Sequence, residues 1–196
     1  ATDQTLLQEI RNLSGKIDDT STRISALAQQ VSDLKVQSAP LTQRAYQSIG
    51  NEGGNPSVSP DTIYTQAYND LVQGNLDLAI EGFSAFLRNF PTNDKAAAAQ
   101  YNIGEAYYNQ HKMPQAIAAF TRILNDYPNS DKVASALFKR GKAEVAIGEK
   151  DNAIEDYRTV VRKYPAAPEA NLAKAELDSL GVDLNKPAKR RPDDLH

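Results

Sequence analysis

From Leu6 to Leu34 the apolar residues fall on two rows with a seven-residue spacing: Ile10, Ile17, Ile24 and Val31 on one, Leu6, Leu13, Leu27 and Leu34 on the other. A heptad with β-branched residues at a and Leu at d predicts a parallel coiled coil joining copies of the chain. Thr20 interrupts the d row, a polar position that costs stability and helps fix register. Gln, Ser, Thr and Asn fill most of the remaining faces, so the stripe is too narrow to pack into a globular core. A lone helix of this kind is marginal in water. The expected oligomerisation surface is therefore Leu6, Ile10, Leu13, Ile17, Thr20, Ile24, Leu27, Val31 and Leu34. Ile at a with Leu at d nominally favours two strands, and the few charges at e and g (Glu9, Lys16, Arg23, Lys35) leave the oligomer number open.

The heptad fades near residue 37, and residues 38–60 (SAPLTQRAYQSIGNEGGNPSVSP) show no sustained period but three Pro and three Gly. This stretch is expected to be a flexible linker with a span of about 25 to 30 Å. A longer period then takes over. Pro91, Pro128 and Pro165 stand 37 residues apart, in step with Ala79, Ala116 and Ala153, with Phe83, Phe120 and Tyr157, and with Phe86, Ile123 and Val160. Ala67, Gly104 and Gly141 form a small-residue column upstream. A period of this length means stacked supersecondary units. Helices are expected near 61–73, 76–90, 95–110, 113–127, 132–147 and 150–163, with a capping helix near 167–180 closed by Gly181. Residues 61–181 thus form the second folded region, and 182–196 a solvated, disordered tail. The basic cluster KPAKRR within that tail is followed at once by acidic residues.

Small residue, Ala twelve later, aromatic four after that, Pro eight beyond: this order resembles the tetratricopeptide repeat, most clearly at Ile103, Gly104, Tyr107, Ala116, Phe120, Ile123 and Pro128. The expected fold class is all-α, with a coiled coil, a linker and a superhelix of three 37-residue repeats plus a cap. In such a register the concave face is lined by Tyr64, Tyr68, Leu71 and Val72, by Tyr101, Glu105, Tyr108 and Asn109, and by Phe138, Lys142 and Val145. Exposed aromatics in a groove anchor peptides or helices, which makes this the expected protein-binding site. For Tyr64, Tyr101 and Phe138 packing between repeats is an equal alternative, whereas for Tyr68 and Tyr108 the groove is favoured. Tetratricopeptide grooves that clamp a terminal carboxylate use Lys and Asn where Tyr64, Tyr68, Tyr101 and Glu105 stand, so no such clamp is expected.

Composition narrows the chemistry further. A formal net charge of -3 over 196 residues and a pI near 5.4 argue against nucleic-acid binding. No apolar run approaches the roughly 18 residues that span a bilayer, so no membrane insertion is expected. With no Cys, disulfides, thiolate metal sites, a Cys nucleophile and a lipidated Cys are excluded for the residues given. Of two His, His196 ends the sequence and His111 occupies the turn position of Gly74 and Gly148. No catalytic residues, cofactor or metal ligands are expected, and the chain is read as a non-enzyme. The start ATDQ fits a mature protein after signal-peptide removal and fits a trimmed chain equally well.

The heptad coil, the Gly/Pro/Ser linker and the 37-residue repeats with NIGEAYY and DYPNSDK are together similar to the Tol-Pal-associated YbgF/CpoB family of the Gram-negative periplasm. One departure is at Gln100 and Tyr101, where that family commonly has a Trp. The resemblance implies a periplasmic adaptor, trimeric rather than dimeric through its coil, that binds TolA. It further implies a link between the peptidoglycan synthase machinery and outer-membrane constriction during cell division. A tetratricopeptide component of outer-membrane protein assembly is the alternative.

Overall fold

The computed structural model describes residues 59–182 without a break, and before them residues 8, 13, 15–27 and 29–30. Two compact units divide the chain, Ala1–Ala45 and Tyr46–His196. In the first, residues 15–27 are helical, and the seam residues Leu13, Ile17, Ile24 and Leu27 are 59 to 67% exposed within the single chain. The Thr20 hydroxyl donates back to the carbonyls of Lys16 and Ile17, at 2.8 and 2.9 Å, which spares it a partner on another helix. Leu6, Ile10, Val31 and Leu34, the linker as far as residue 58, and the tail with KPAKRR lie outside the described residues.

The second unit consists, among the described residues, of seven helices: α1 (Pro60–Val72), α2 (Leu76–Asn89), α3 (Ala96–Asn109), α4 (Met113–Asp126), α5 (Lys132–Ala146), α6 (Lys150–Lys163) and α7 (Glu169–Ser179). Their ends fall within about two residues of the pattern-based expectation. Pro60, expected in the linker, instead opens α1, because its preset φ and missing N–H suit the first helical position. Ser59 caps that helix, its hydroxyl accepting the Thr62 N–H at 3.2 Å.

The aromatic before each Pro closes a helix. Phe90, Tyr127 and Tyr164 are the C-caps of α2, α4 and α6, each donating its N–H to a carbonyl four residues back. The turns inside the helix pairs need a left-handed residue. Gly74 (φ 76°) and Gly148 (φ 85°) supply it, and His111 takes the same conformation at φ 58°. That placement makes His111 the turn residue of its pair.

Each helix packs on its successor, and the first helices also touch one another: α1 with α3, α3 with α5, α5 with α7. The small-residue column explains how closely a pair can approach. A Cβ added at Gly104 would run into the Phe120 ring, and one at Gly141 would lie 2.7 Å from that of Tyr157. Phe83, Phe86, Phe120, Ile123, Tyr157 and Val160 are wholly buried between the layers. Burying such side chains contributes about 1.5 to 3 kcal/mol each, the main force holding the stack.

Candidate functional site

The first helices α1, α3 and α5 carry the residues expected to line the groove, and these helices and the capping α7 are tied, each to the next, by a repeated offset. Lys95 reaches Asp61 at 2.6 Å, Lys139 reaches Glu105 at 2.7 Å, Ser135 donates to Glu169 at 2.6 Å, and Lys142 meets Glu176 at 3.4 Å. All four join residues 34 apart. With a 37-residue period, 34 means one helical turn short of the equivalent position, so side chains meet a turn earlier on the next first helix. Glu105 and Lys142, expected as groove residues, are thus engaged by adjacent helices.

The aromatics sort by depth. Tyr64 is half-buried, edge-on to Phe83 and Phe86 with ring centres at 5.4 and 5.6 Å. Lys95 stands 5.3 Å from its ring centre, and its hydroxyl accepts from Asn102 at 3.2 Å. Tyr68 stacks beside it, nearly parallel at 6.5 Å, and is 47% exposed; Val72, one turn on, is 70% exposed. Leu71 is half-buried and Asn109 exposed. Tyr101 packs on Phe120 at 5.6 Å, and burial, with Glu105 and Glu169 nearby, pushes its phenol well above the ordinary tyrosine range. Tyr108 is half-buried beneath Lys139, at 5.5 Å.

Phe138 differs from the groove expectation. It is 8% exposed, packed on Tyr157 at 5.7 Å with Lys142 above it, so it forms the wall beneath the surface. Among the residues expected to line the groove, the exposed apolar ones are Tyr68 and Val72, with Tyr108 half-buried on the next first helix. Rigid aromatic surface rimmed by amide and ammonium groups suits an extended or helical peptide.

Pattern reading missed a polar cluster in the third helix pair. Arg140 of α5 forks onto Asp156 of α6 through Nε and Nη2, both at 2.6 Å, and donates to Thr121 of α4 at 3.0 Å. Glu144 lies 3.8 Å from Nε of Arg140, and its Oε2 is buried without a hydrogen-bond partner. Burial is the main cause, with Asp156 next, of a Glu144 carboxyl pushed up to about 7, against the pull of Arg140. Burial likewise raises Asp156 although Arg140 opposes it. For Arg140 burial works against the charge, but the two carboxylates more than offset it and keep the guanidinium protonated. The available signal was column mismatch: Arg140, Glu144 and Asp156 fall in the columns of Ile103, Tyr107 and Ala119.

No group of His, Asp and Glu among the described residues could hold a metal ion, and no described helix is long and apolar enough to cross a membrane. Solved structures share the fold. The "Arabidopsis OM64 TPR domain" aligns with a TM-score of 0.52 at 16% identity, over 62% of this chain and 95% of that one. MamA aligns with a TM-score of 0.52 at 23% identity, over 71% of this chain and 77% of its own. No curated protein sequence matches the chain. These likenesses establish a tetratricopeptide-like all-helical fold. At the level of sequence, residues 56–186 match the model of the YfiO outer membrane lipoprotein family, and the chain belongs to that family.

Proposed function

We propose that this chain is a non-enzymatic periplasmic adaptor of the YbgF/CpoB type. It is a superhelix of three 37-residue repeats carried on a parallel, trimeric coiled coil, and its first-helix face binds TolA. In that role it couples septal peptidoglycan synthesis to outer-membrane constriction. The observation that carries the proposal is the exposed Tyr68 and Val72 pair, with the half-buried Tyr108 on the next first helix, on a row of first helices fixed by side-chain bridges. Several such faces on one coil would bind with avidity through effective concentration. The expected result is copurification with TolA from envelope extract, lost on Tyr68→Ala plus Tyr108→Ala with thermal unfolding unchanged. A folded double variant that still binds would place the partner surface elsewhere. Light scattering should report a trimer for residues 1–196 and a monomer for 61–196.

The family match favours a second reading, a component of outer-membrane protein assembly. A lipid-modified Cys ahead of Ala1 in the precursor, with assembly components instead of TolA in the pull-down, is the outcome that selects it.

A further inference from the structure

The ionisable cluster of the third helix pair has no part in the surface proposed to bind a partner, yet it occupies the seam on which α4, α5 and α6 converge. Glu144 sits in the last turn of α5, where unsatisfied helix carbonyls make the site unfavourable for an anion. Its own backbone carbonyl accepts the N–H groups of Ile147 and Glu149, at 3.2 and 2.8 Å, which anchors its main chain at the turn into α6.

The groups facing its carboxyl are Arg140 from the same helix, Asp156 and Tyr157 from α6, and Glu149 from the turn. Beyond Tyr157 stand Tyr108 of α3 and Glu176 of α7. One guanidinium therefore serves two buried carboxylates, and its two short bonds both go to Asp156. Ionised, Glu144 has no protein donor for its buried Oε2. A buried carboxylate without a partner is costly; a protonated one is far less so.

We propose that Glu144 is a proton-operated latch on the third helix pair: with a proton bound the α5–α6 seam is closed, and losing that proton favours local opening of α5 and α6. The direction follows from linkage. A carboxyl whose folded value, about 7, exceeds its usual one near 4.5 stabilises the closed state fully below about 4.5. That contribution is lost as pH rises through about 7. The latch would loosen the end of the stack nearest α7 and leave α1 and α2, two helix pairs away, unaffected. Its existence is independent of which partner, if any, the first-helix face binds.

Hydrogen exchange followed residue by residue on the full chain at pH 5.5 and 8.0, corrected for intrinsic exchange, tests it. Amides of α5 and α6 should open about tenfold more often at pH 8.0, while those of α1 and α2 stay within about twofold. Glu144→Gln, which keeps the shape without the charge, should reduce the α5–α6 ratio to within about twofold. Asp156→Asn removes the competing carboxylate and turns Arg140 toward Glu144, so the transition should move to lower pH. An unchanged pH response in Glu144→Gln, a parallel response in α1–α2, or no acid-ward movement in Asp156→Asn would overturn the latch.

Discussion

The second and third helix pairs solve one packing problem with opposite chemistry. In α3 and α4 the inner columns hold Ile103, Tyr107, Ala119 and Phe120, beside Gly104; in α5 and α6 the same columns hold Arg140, Glu144, Asp156 and Tyr157, beside Gly141. The backbone accepts both sets. What differs is how each fails: an apolar contact weakens in proportion to the area lost, whereas an ionic one turns unfavourable once a partner is missing. The third pair thus carries a sensitivity to charge that the second does not have, on the same scaffold.

The sharpest way to break this comparison is to remove Arg140 alone. Arg140→Met leaves Asp156 and Glu144 facing each other without a cation and should cost about 3 to 5 kcal/mol in denaturant unfolding. Copying the second pair with Arg140→Ile, Glu144→Tyr and Asp156→Ala together should be neutral or stabilising by about 1 to 4 kcal/mol. A triple variant as unstable as Arg140→Met would show that the two pairs are not interchangeable.

A smaller effect is expected at the glycine column. Gly104→Ala drives a methyl into Phe120, and overpacking of this kind costs about 1 to 3 kcal/mol. Gly141→Ala should cost less, since its nearest contacts to the Tyr157 ring run from 2.7 to 3.1 Å against closer ones at Gly104. Equal midpoints for the two variants would remove that distinction.

Smallest is Tyr157→Phe, which makes the third pair match the second. The Tyr157 hydroxyl is buried without a partner, so its removal should raise stability by about 1 kcal/mol. A loss of stability in thermal unfolding would instead reveal a bridging water between the hydroxyl and its neighbours.

Much of the fold was legible because the signals are local. Proline after an aromatic, a small residue every 37 positions and a left-handed residue at each inner turn are all set by backbone geometry, and His111 was placed correctly from column alone. The site was less legible. Whether Tyr68 or Phe138 reaches the surface depends on how far each first helix turns toward its neighbour, a tertiary quantity that a column does not encode. For the same reason Glu105 and Lys142 could be assigned to a face but not to the adjacent helices that hold them. Arg140, Glu144 and Asp156 lie apart in sequence on two helices and looked like ordinary solvated charge; pairwise comparison of columns alone would have exposed them.

The bridges spaced 34 residues apart have a mechanical consequence. Each runs across the gap between neighbouring first helices, so each resists sliding of one helix along the next. Between α1 and α3 the 34-residue rung is an exposed ion pair, with side chains 46 and 75% exposed, backed by the hydrogen bond from Asn102 to Tyr64, whereas α5 and α7 share two rungs that are less exposed. Under tension between its ends the stack should therefore yield first at α1, the helix that carries Tyr68 and Val72, and hold longest at α7.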